Sequence, residues 1–401
     1  MTGGAPPLSL SVCFVHHPGS NLGSILRPKI YKHYRRDPHR NLGDGGLGLE
    51  VEYRSDVAPP SLEPIPVDFD RAQATAVVTI FDRDLAGDPD FGRFVKGVAA
   101  EAAPLFPRAT FLAVAVDEEG HRFARADATG IWQTLDARTW AHEGFGRLLF
   151  TAMDQHICRL LTAYLESRRT PGANVASLRK AFGRKVQVFL SHSKHDQDQR
   201  GEEIAQRLKA ALGGMSADAY FDATDLPAGV PWEQELDDAA SAHALVAIVT
   251  DSYSSRTWCR KEVLAAKRAG MPILIASCLE DFEERSFPYS GNAPVVQMLP
   301  DHVARQPQLI GRLFDELLRD FVWKCHTVEP PPRGVIFGSR APELVSLAYL
   351  ERELAEDGRA RPVTVVYPGA PLGAEEMDLF DAVAPHVRLA PFVSWKAGLV
   401  T

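Results

Sequence analysis

Ala244-Leu-Val-Ala-Ile-Val-Thr250 is an unbroken apolar run, and it leads at once into Asp251-Ser-Tyr-Ser-Ser-Arg-Thr-Trp-Cys-Arg-Lys-Glu262. A short continuous run of this kind predicts a strand buried on both faces, as in a parallel sheet covered by helices. The flanking sequence agrees. Lys185–Ser191 reads as a strand, and Glu202–Leu212 as a helix with Ile204, Leu208 and Leu212 on one face, closed by Gly213-Gly214. Ala217–Asp222 ends in a short strand, Trp232–Ala242 and Trp258–Arg268 read as helices, and Pro272–Cys278 as a strand. Strands alternating with helices predict an α/β fold, a doubly wound parallel sheet with helices on both faces.

Residues 1–169 carry a similar order. Strands are expected at Leu8–His16, Leu49–Arg54, Ala74–Phe81 and Thr110–Val116. A helix is expected at Phe91–Ala102, and a long amphipathic one at Gly144–Leu165 with Leu148, Leu149, Met153, Ile157, Leu160 and Leu161 as its apolar side. The Pro-rich stretch from Ala58 to Pro66 reads as loop, because proline lacks the amide donor a regular element needs. The two long helices share a phrase, Gly146-Arg-Leu-Leu-Phe and Gly311-Arg-Leu-Phe. Two tandem copies of one fold are therefore expected, at 1–169 and 184–329, joined by a linker at 170–183. After Pro330-Pro-Pro-Arg333, residues 330–401 show strands at Gly334–Gly338 and Val363–Tyr367 and helices at Pro342–Leu354 and Glu375–Val383. Two strands are too few for an ordinary independent sheet. A partial α/β segment is expected there, packed on the preceding domain or belonging to a truncated further one.

The 401 residues are 45% hydrophobic and 24% charged, ordinary for a chain that buries cores. Lys+Arg is 44 against Asp+Glu 52, a net charge of −8. General binding to nucleic acid or to an anionic membrane needs a basic footprint, so neither is expected. The five cysteines, Cys13, Cys158, Cys259, Cys278 and Cys325, are widely spaced with no C-x-x-C. That favours a reducing, cytoplasmic setting over a disulfide framework or a zinc ribbon. No basic stretch precedes the first apolar run, and no run approaches the ~20 residues that span a bilayer, so neither a signal peptide nor a membrane span is expected.

Ligands of open α/β sheets bind outside the carboxyl ends of the strands, which is where Tyr253–Glu262 begins. Trp258 and Glu262 are four apart and share a helix face. A carboxylate beside a large aromatic there can stabilise a developing cation; on spacing alone, a packed Trp and a solvated Glu are the plainer reading.

Three boxes in order carry a resemblance. Val188-Phe-Leu-Ser-His-Ser resembles the first box of TIR domains, usually Phe-Ile-Ser-Tyr. Tyr220-Phe-Asp-Ala-Thr-Asp-Leu-Pro-Ala-Gly resembles their second strand and BB loop. Val249-Thr-Asp-Ser-Tyr-Ser-Ser-Arg-Thr-Trp-Cys-Arg-Lys-Glu-Val resembles their Ser-x-x-Tyr-x-x-Ser-x-Trp-Cys-x-x-Glu-Leu box. The likeness covers about residues 185–280 and is closest to bacterial members. It implies a flavodoxin-like sheet, NAD+ as substrate with no further cofactor and no metal, and Glu262 as the carboxylate that assists cleavage of the nicotinamide–ribose bond. Nicotinamide leaves as a neutral pyridine, so positive charge develops on the ribose, where an ionised carboxylate is useful.

The resemblance implies substrate contacts at Trp258, Ser191, Ser193, Lys194, Asp222 and Trp232. Each has a plain alternative: Lys194 a solvated lysine, Asp222 a residue that orders the BB loop, Trp232 a core anchor or a filler of a neighbour's groove. The BB loop, Asp222–Pro231, is expected to pack on a neighbouring TIR domain. The sequence departs from the family at His192, often Tyr, and at Thr250, often Ser.

Aligning Ala74–Phe81 with Ala244–Thr250 puts Phe91 near Trp258 and Val95 near Glu262. The first copy then lacks the carboxylate and reads as a degenerate TIR-like domain for assembly or sensing. Weaker signals have bland readings. Gly43-Asp-Gly-Gly-Leu-Gly48 fits G-x-G-x-x-G but precedes a strand, so a turn is expected. Arg27–Arg40 reads as a solvated basic face, His16-His17 and His192/His195 lack metal spacing, and Cys259 reads as a buried free thiol.

The function expected is that of an NAD+ hydrolase or cyclase, an oligomeric effector of antiviral or stress-induced NAD+ depletion under an activating sensor or ligand. A non-catalytic scaffold in signalling, binding other TIR domains, is the alternative from a different class. Nucleoside transfer on a related α/β fold is a third, which the TIR boxes fit less well.

Overall fold

The computed structural model describes residues 8–35, 47–58, 63–130, 132–140, 144–193, 200–213, 217–220, 243–281, 290–356 and 362–399. The chain divides into two compact units, Met1–Arg184 with Lys324–Val328, and Lys185–Trp323 with Glu329–Thr401.

The first unit holds a parallel sheet of β1 (Leu8–Val15), β2 (Glu50–Arg54), β5 (Ala72–Phe81), β6 (Ala109–Ala115) and β7 (Thr134–Asp136) in the order β2-β1-β5-β6-β7. Within the Pro-rich stretch expected to be loop, a short antiparallel pair forms, β3 (Val57–Ala58) with β4 (Glu63–Pro64), held by backbone pairing of Val57 with Pro64 and Ala58 with Glu63 that composition does not show. The helix Pro89–Ala102 starts where Asp88 accepts hydrogen bonds from the amides of Asp90 and Phe91, with Pro89 in the first turn. It buries Phe91, Val95, Val98, Ala99 and Ala102 against Val77, Phe81, Phe111 and Ala113. Burial of each such large apolar side chain stabilises by roughly 1.5–3 kcal/mol. The long helix is Phe145–Arg169; Leu148 lies outside its buried stripe and is exposed.

Val175–Gly183, inside the stretch whose composition reads as linker, is a helix. Asn174 caps it, Leu178 and Ala181 are buried, and Phe182 packs edge-on to Phe106 at 5.6 Å. A polar face with two buried positions per nine residues leaves little periodicity to read, and the packing partner is distant in sequence.

The second unit carries β8 (Val186–His192), β9 (Ala217–Tyr220), β10 (Ala244–Val249), β11 (Ile273–Ser277) and β12 (Val295–Gln297), all parallel, in the order β12-β11-β10-β8-β9. Every residue of β10 is buried, as its unbroken apolar run requires of the central strand. Phe189, Leu245, Ala247, Val249, Ile273 and Ile275 face the helix Thr257–Arg268. The alternate residues point to the opposite face, on whose side the helix Arg200–Gly213 buries Ile204, Ala205, Leu208 and Leu212. Numbered by their own strands, with the β3–β4 pair set aside, both five-stranded sheets follow the flavodoxin-like order 2-1-3-4-5.

Residues 334–399 add a third parallel sheet, β13 (Val335–Phe337), β14 (Val363–Tyr367) and β15 (Val387–Pro391), in that order. β15 is the strand that the sequence did not reveal. Arg388 interrupts its apolar positions and Pro391 ends it, so only Val387, Leu389 and Ala390 are left to signal it. The helices Leu344–Glu356 and Ala374–Val383 contribute Leu347, Leu354 and Phe380 to a core with Val363, Val365 and Leu389. The other face packs Val366 and Ala390 against Trp323 of the helix His302–His326 and against Phe392 and Trp395. The segment is thus a three-stranded layer within the second unit. Among the described residues, no helix is long and apolar enough to cross a membrane.

Candidate active site

The helix Thr257–Arg268 buries Cys259, Glu262, Val263 and Ala266, an i, i+3, i+4, i+7 stripe. One member of this stripe is a carboxylate. Glu262 is only 8% exposed. A carboxylate in such a position must be hydrogen-bonded or its desolvation is costly.

β8 supplies the partner. Ser191 lies on the same face as Phe189, beside Ala247 of β10. Its Oγ donates to Glu262 Oε2 at 2.5 Å, and the Tyr253 hydroxyl lies 2.6 Å from the same Oγ. Because the one serine proton goes to the carboxylate, Tyr253 is the donor to Ser191. Tyr253 is fully buried in the single turn Tyr253–Ser255 that follows β10. Burial, with Cys259 and Glu262 adding to it, pushes its phenol well above the ordinary value, so it keeps its proton. The result is a chain Tyr253–Ser191–Glu262 at the carboxyl end of the sheet, where charge-assisted bonds are the strong ones.

Around this chain, Ser252 Oγ donates to Ser193 Oγ at 2.7 Å, and Ser193 is buried. Cys259 Sγ approaches the His192 carbonyl at 3.7 Å, as a buried thiol with a weak donor. Asp251 accepts from the amides of Glu280 and Asp281, tying the segment after β10 to the one after β11. Trp258 is 38% exposed, and Lys261 Nζ lies 4.3 Å from its ring centroid. Glu262 therefore turns toward the sheet while Trp258, one turn earlier, meets solvent.

Of the residues singled out in the sequence, Ser191 and Glu262 are in contact, Ser193 lies just past Ser191, and Trp258 stands on the Glu262 helix. Lys194, Asp222 and Trp232, with the BB loop Asp222–Pro231 and the helix expected at Trp232–Ala242, lie outside the described residues, as does His195. Tyr253 is the site member that the sequence reading passed over. A tyrosine directly after a fully apolar strand needs a partner for its hydroxyl once its ring is buried, and that was the available signal.

The weaker motifs are resolved separately. Gly48 has φ +72°, in the left-handed region that suits a turn, while residues 43–46 lie outside the described residues. Arg27 and Arg35 lie over the rings of Tyr53 and Tyr31. His17 Nε2 contacts Asp88 at 3.2 Å, and all five cysteines are buried and outside any disulfide.

No curated protein matches the chain. Residues 188–300 match the family model described as TIR domain, a span that runs from within β8 past β12 and takes in Ser191, Tyr253 and Glu262; the match supports a TIR domain in the second unit of this chain.

Proposed function

We infer that the TIR segment cleaves the nicotinamide–ribose bond of NAD+, with Glu262 as the catalytic carboxylate. The observation that carries this reading is the Glu262 side chain held by Ser191 at the carboxyl end of the sheet. A preorganised carboxylate there offers fixed negative charge to the oxocarbenium-like ribose as neutral nicotinamide departs. The Ser191 hydroxyl fixes the carboxylate's orientation. Trp258 offers an exposed ring for stacking. Ser193, Lys194, Asp222 and Trp232 complete the proposed substrate contacts. NAD+ is substrate, with no further cofactor. Water or a group of the substrate itself takes the ribose, giving the hydrolase or the cyclase outcome.

TIR domains serve NAD+ cleavage or assembly, and self-association through this domain belongs to the same proposal, as does a role in antiviral or stress-induced NAD+ depletion. The first unit is proposed to be a degenerate copy. One observation supports it, the shared strand order. Setting the pair Val15–Thr79 against Leu190–Val246 puts His16 where Ser191 stands and Val95, fully buried, where Glu262 stands.

A second reading has its own observation. Glu262 at 8% exposure, bonded inward, also suits a structural polar contact in a non-catalytic scaffold. Purified protein incubated with NAD+, the products resolved by chromatography over a range of protein concentrations, separates the two. Nicotinamide release that Glu262→Gln abolishes supports catalysis. Absence of turnover at the highest concentration leaves the scaffold.

A further inference from the structure

Gly338-Ser-Arg-Ala-Pro-Glu343 joins β13 to the helix Leu344–Glu356. It leaves the carboxyl end of a parallel strand, the place where α/β sheets take ligands. Within the second unit this loop lies against the last turn of the helix Thr257–Arg268, and the two enclose a cavity of about 300 Å³.

The charges around that cavity are unequal in their partners. Lys267 is nearly buried, and its Nζ is taken up by Glu343 at 2.6 Å and by the Gly291 carbonyl at 2.9 Å. That pair is internally neutral. Arg340 lines the same cavity, half-buried, and makes no hydrogen bond or ion pair among the described residues. Glu316, Asp320 and Glu343 act on it only at longer range, and burial lowers the pKa of its guanidinium. A guanidinium carries five donors in a planar fork, and leaving such a cation half-desolvated without an acceptor is costly.

Ser339, next to it, also makes no hydrogen bond among the described residues. Room for its hydroxyl comes from the TIR segment: Gly270 has φ +65°, and a Cβ there would stand 2.5 Å from Ser339 Oγ. Only glycine suits that turn on both counts. Met271 and Leu347 give the cavity an apolar wall.

We propose that this cavity binds a small metabolite through an oxyanion, a phosphate or carboxylate group gripped by the Arg340 fork and the Ser339 hydroxyl, with an apolar remainder against Met271 and Leu347. Bidentate recognition of such groups is what a guanidinium does best. The site is independent of whether Glu262 turns over NAD+.

The test uses the full chain in a chloride buffer of fixed ionic strength, with inorganic phosphate and succinate as the two probes, read by calorimetric titration and thermal unfolding. One-to-one binding of either probe to the wild type is expected, weakened at least tenfold in Arg340→Gln, with Arg340→Lys in between because it keeps the charge and loses the fork. Preference for phosphate assigns a phosphoryl ligand and preference for succinate a carboxylate ligand. Phosphate also stabilises proteins by exclusion from their surfaces, so the difference between the two proteins is the readout. Equal binding to wild type and Arg340→Gln, or binding of neither probe, would each overturn the proposal.

Discussion

Ser191 Oγ donates a 2.5 Å hydrogen bond to Glu262 Oε2 across 71 residues of sequence. It joins the first strand of the TIR sheet to the helix that follows its third. The bond does two things at once. It satisfies a carboxylate placed in an apolar stripe, and it aims that carboxylate at the carboxyl end of the sheet.

Glu262→Gln keeps the size of the side chain and accepts the Ser191 bond through its amide oxygen, but it removes the charge. If the carboxylate stabilises a cationic transition state, kcat for nicotinamide release falls by at least ~10²-fold, the scale of one lost electrostatic contact. KM for NAD+ changes far less, because before the bond breaks the positive charge is spread over the nicotinamide ring, and it passes to the ribose only in the transition state. Steady-state rates over a range of NAD+ concentrations measure the split. Full activity in Glu262→Gln removes this residue from the mechanism.

Ser191→Ala leaves both Glu262 and the Tyr253 hydroxyl without this shared partner. A buried hydrogen bond contributes about 0.5–1.5 kcal/mol, and more to a charged group, so the loss of two bonds in Ser191→Ala lowers the midpoint of denaturant unfolding further than Tyr253→Phe, which loses one. The double variant is less destabilised than the sum of the two, because the hydroxyls act on each other. Additive losses in such a cycle mean the chain Tyr253–Ser191–Glu262 is not coupled in solution.

The central elements were legible because their signal is local. Ala244–Val249 is apolar at every position, and the helix Thr257–Arg268 follows it directly. The edge strands at one side of each five-stranded sheet were not. Thr134–Asp136 and Val295–Gln297 are three residues each, and half-exposed positions leave no pattern. The same holds for the site. Glu262 and Ser191 stood out through the family boxes, yet the bond between them depends on β8 lying next to β10, a topological fact no local spacing encodes. Tyr253 was missed for the same reason: its partner comes from another strand.

His156 gives the first unit a pH response. Burial, with Arg159 adding to it, pushes its pKa down to about 3, and its Nε2 lies 2.9 Å from Thr110 Oγ1. In the unfolded chain the imidazole takes up a proton below about pH 6.5, while in the fold it stays neutral down to about 3. The unfolded state then binds more protons throughout that window, so stability falls as pH drops, by up to about 1.4 kcal/mol per pH unit from this group. His156→Gln keeps a hydrogen-bonding group for Thr110 and removes the titration. Between pH 6.5 and 5, above the range of ordinary carboxylates, its unfolding free energy should vary less with pH than that of the wild type. Identical slopes mean that His156 does not carry the linkage.

Trp258 tests whether the exposed ring serves the substrate or only covers the start of its helix. It is 38% exposed, and the Lys261 ammonium lies 4.3 Å from its ring centroid, an interaction of about 0.5–1 kcal/mol at an exposed site. Trp258→Ala removes this contact and the ring's apolar cover, and thermal unfolding of the variant checks that the unit stays folded. If the ring stacks on the substrate, the same change removes binding that is felt in ground state and transition state alike. Stacking on an aromatic is worth about 1–3 kcal/mol per base, which sets a rise in KM of roughly 5- to 150-fold at nearly constant kcat. Trp258→Phe keeps a smaller ring and should recover part of the KM. Glu262→Gln shows the opposite pattern, a loss in kcat with KM little changed. A Trp258→Ala enzyme with wild-type KM and unchanged kcat places the ring outside the substrate site.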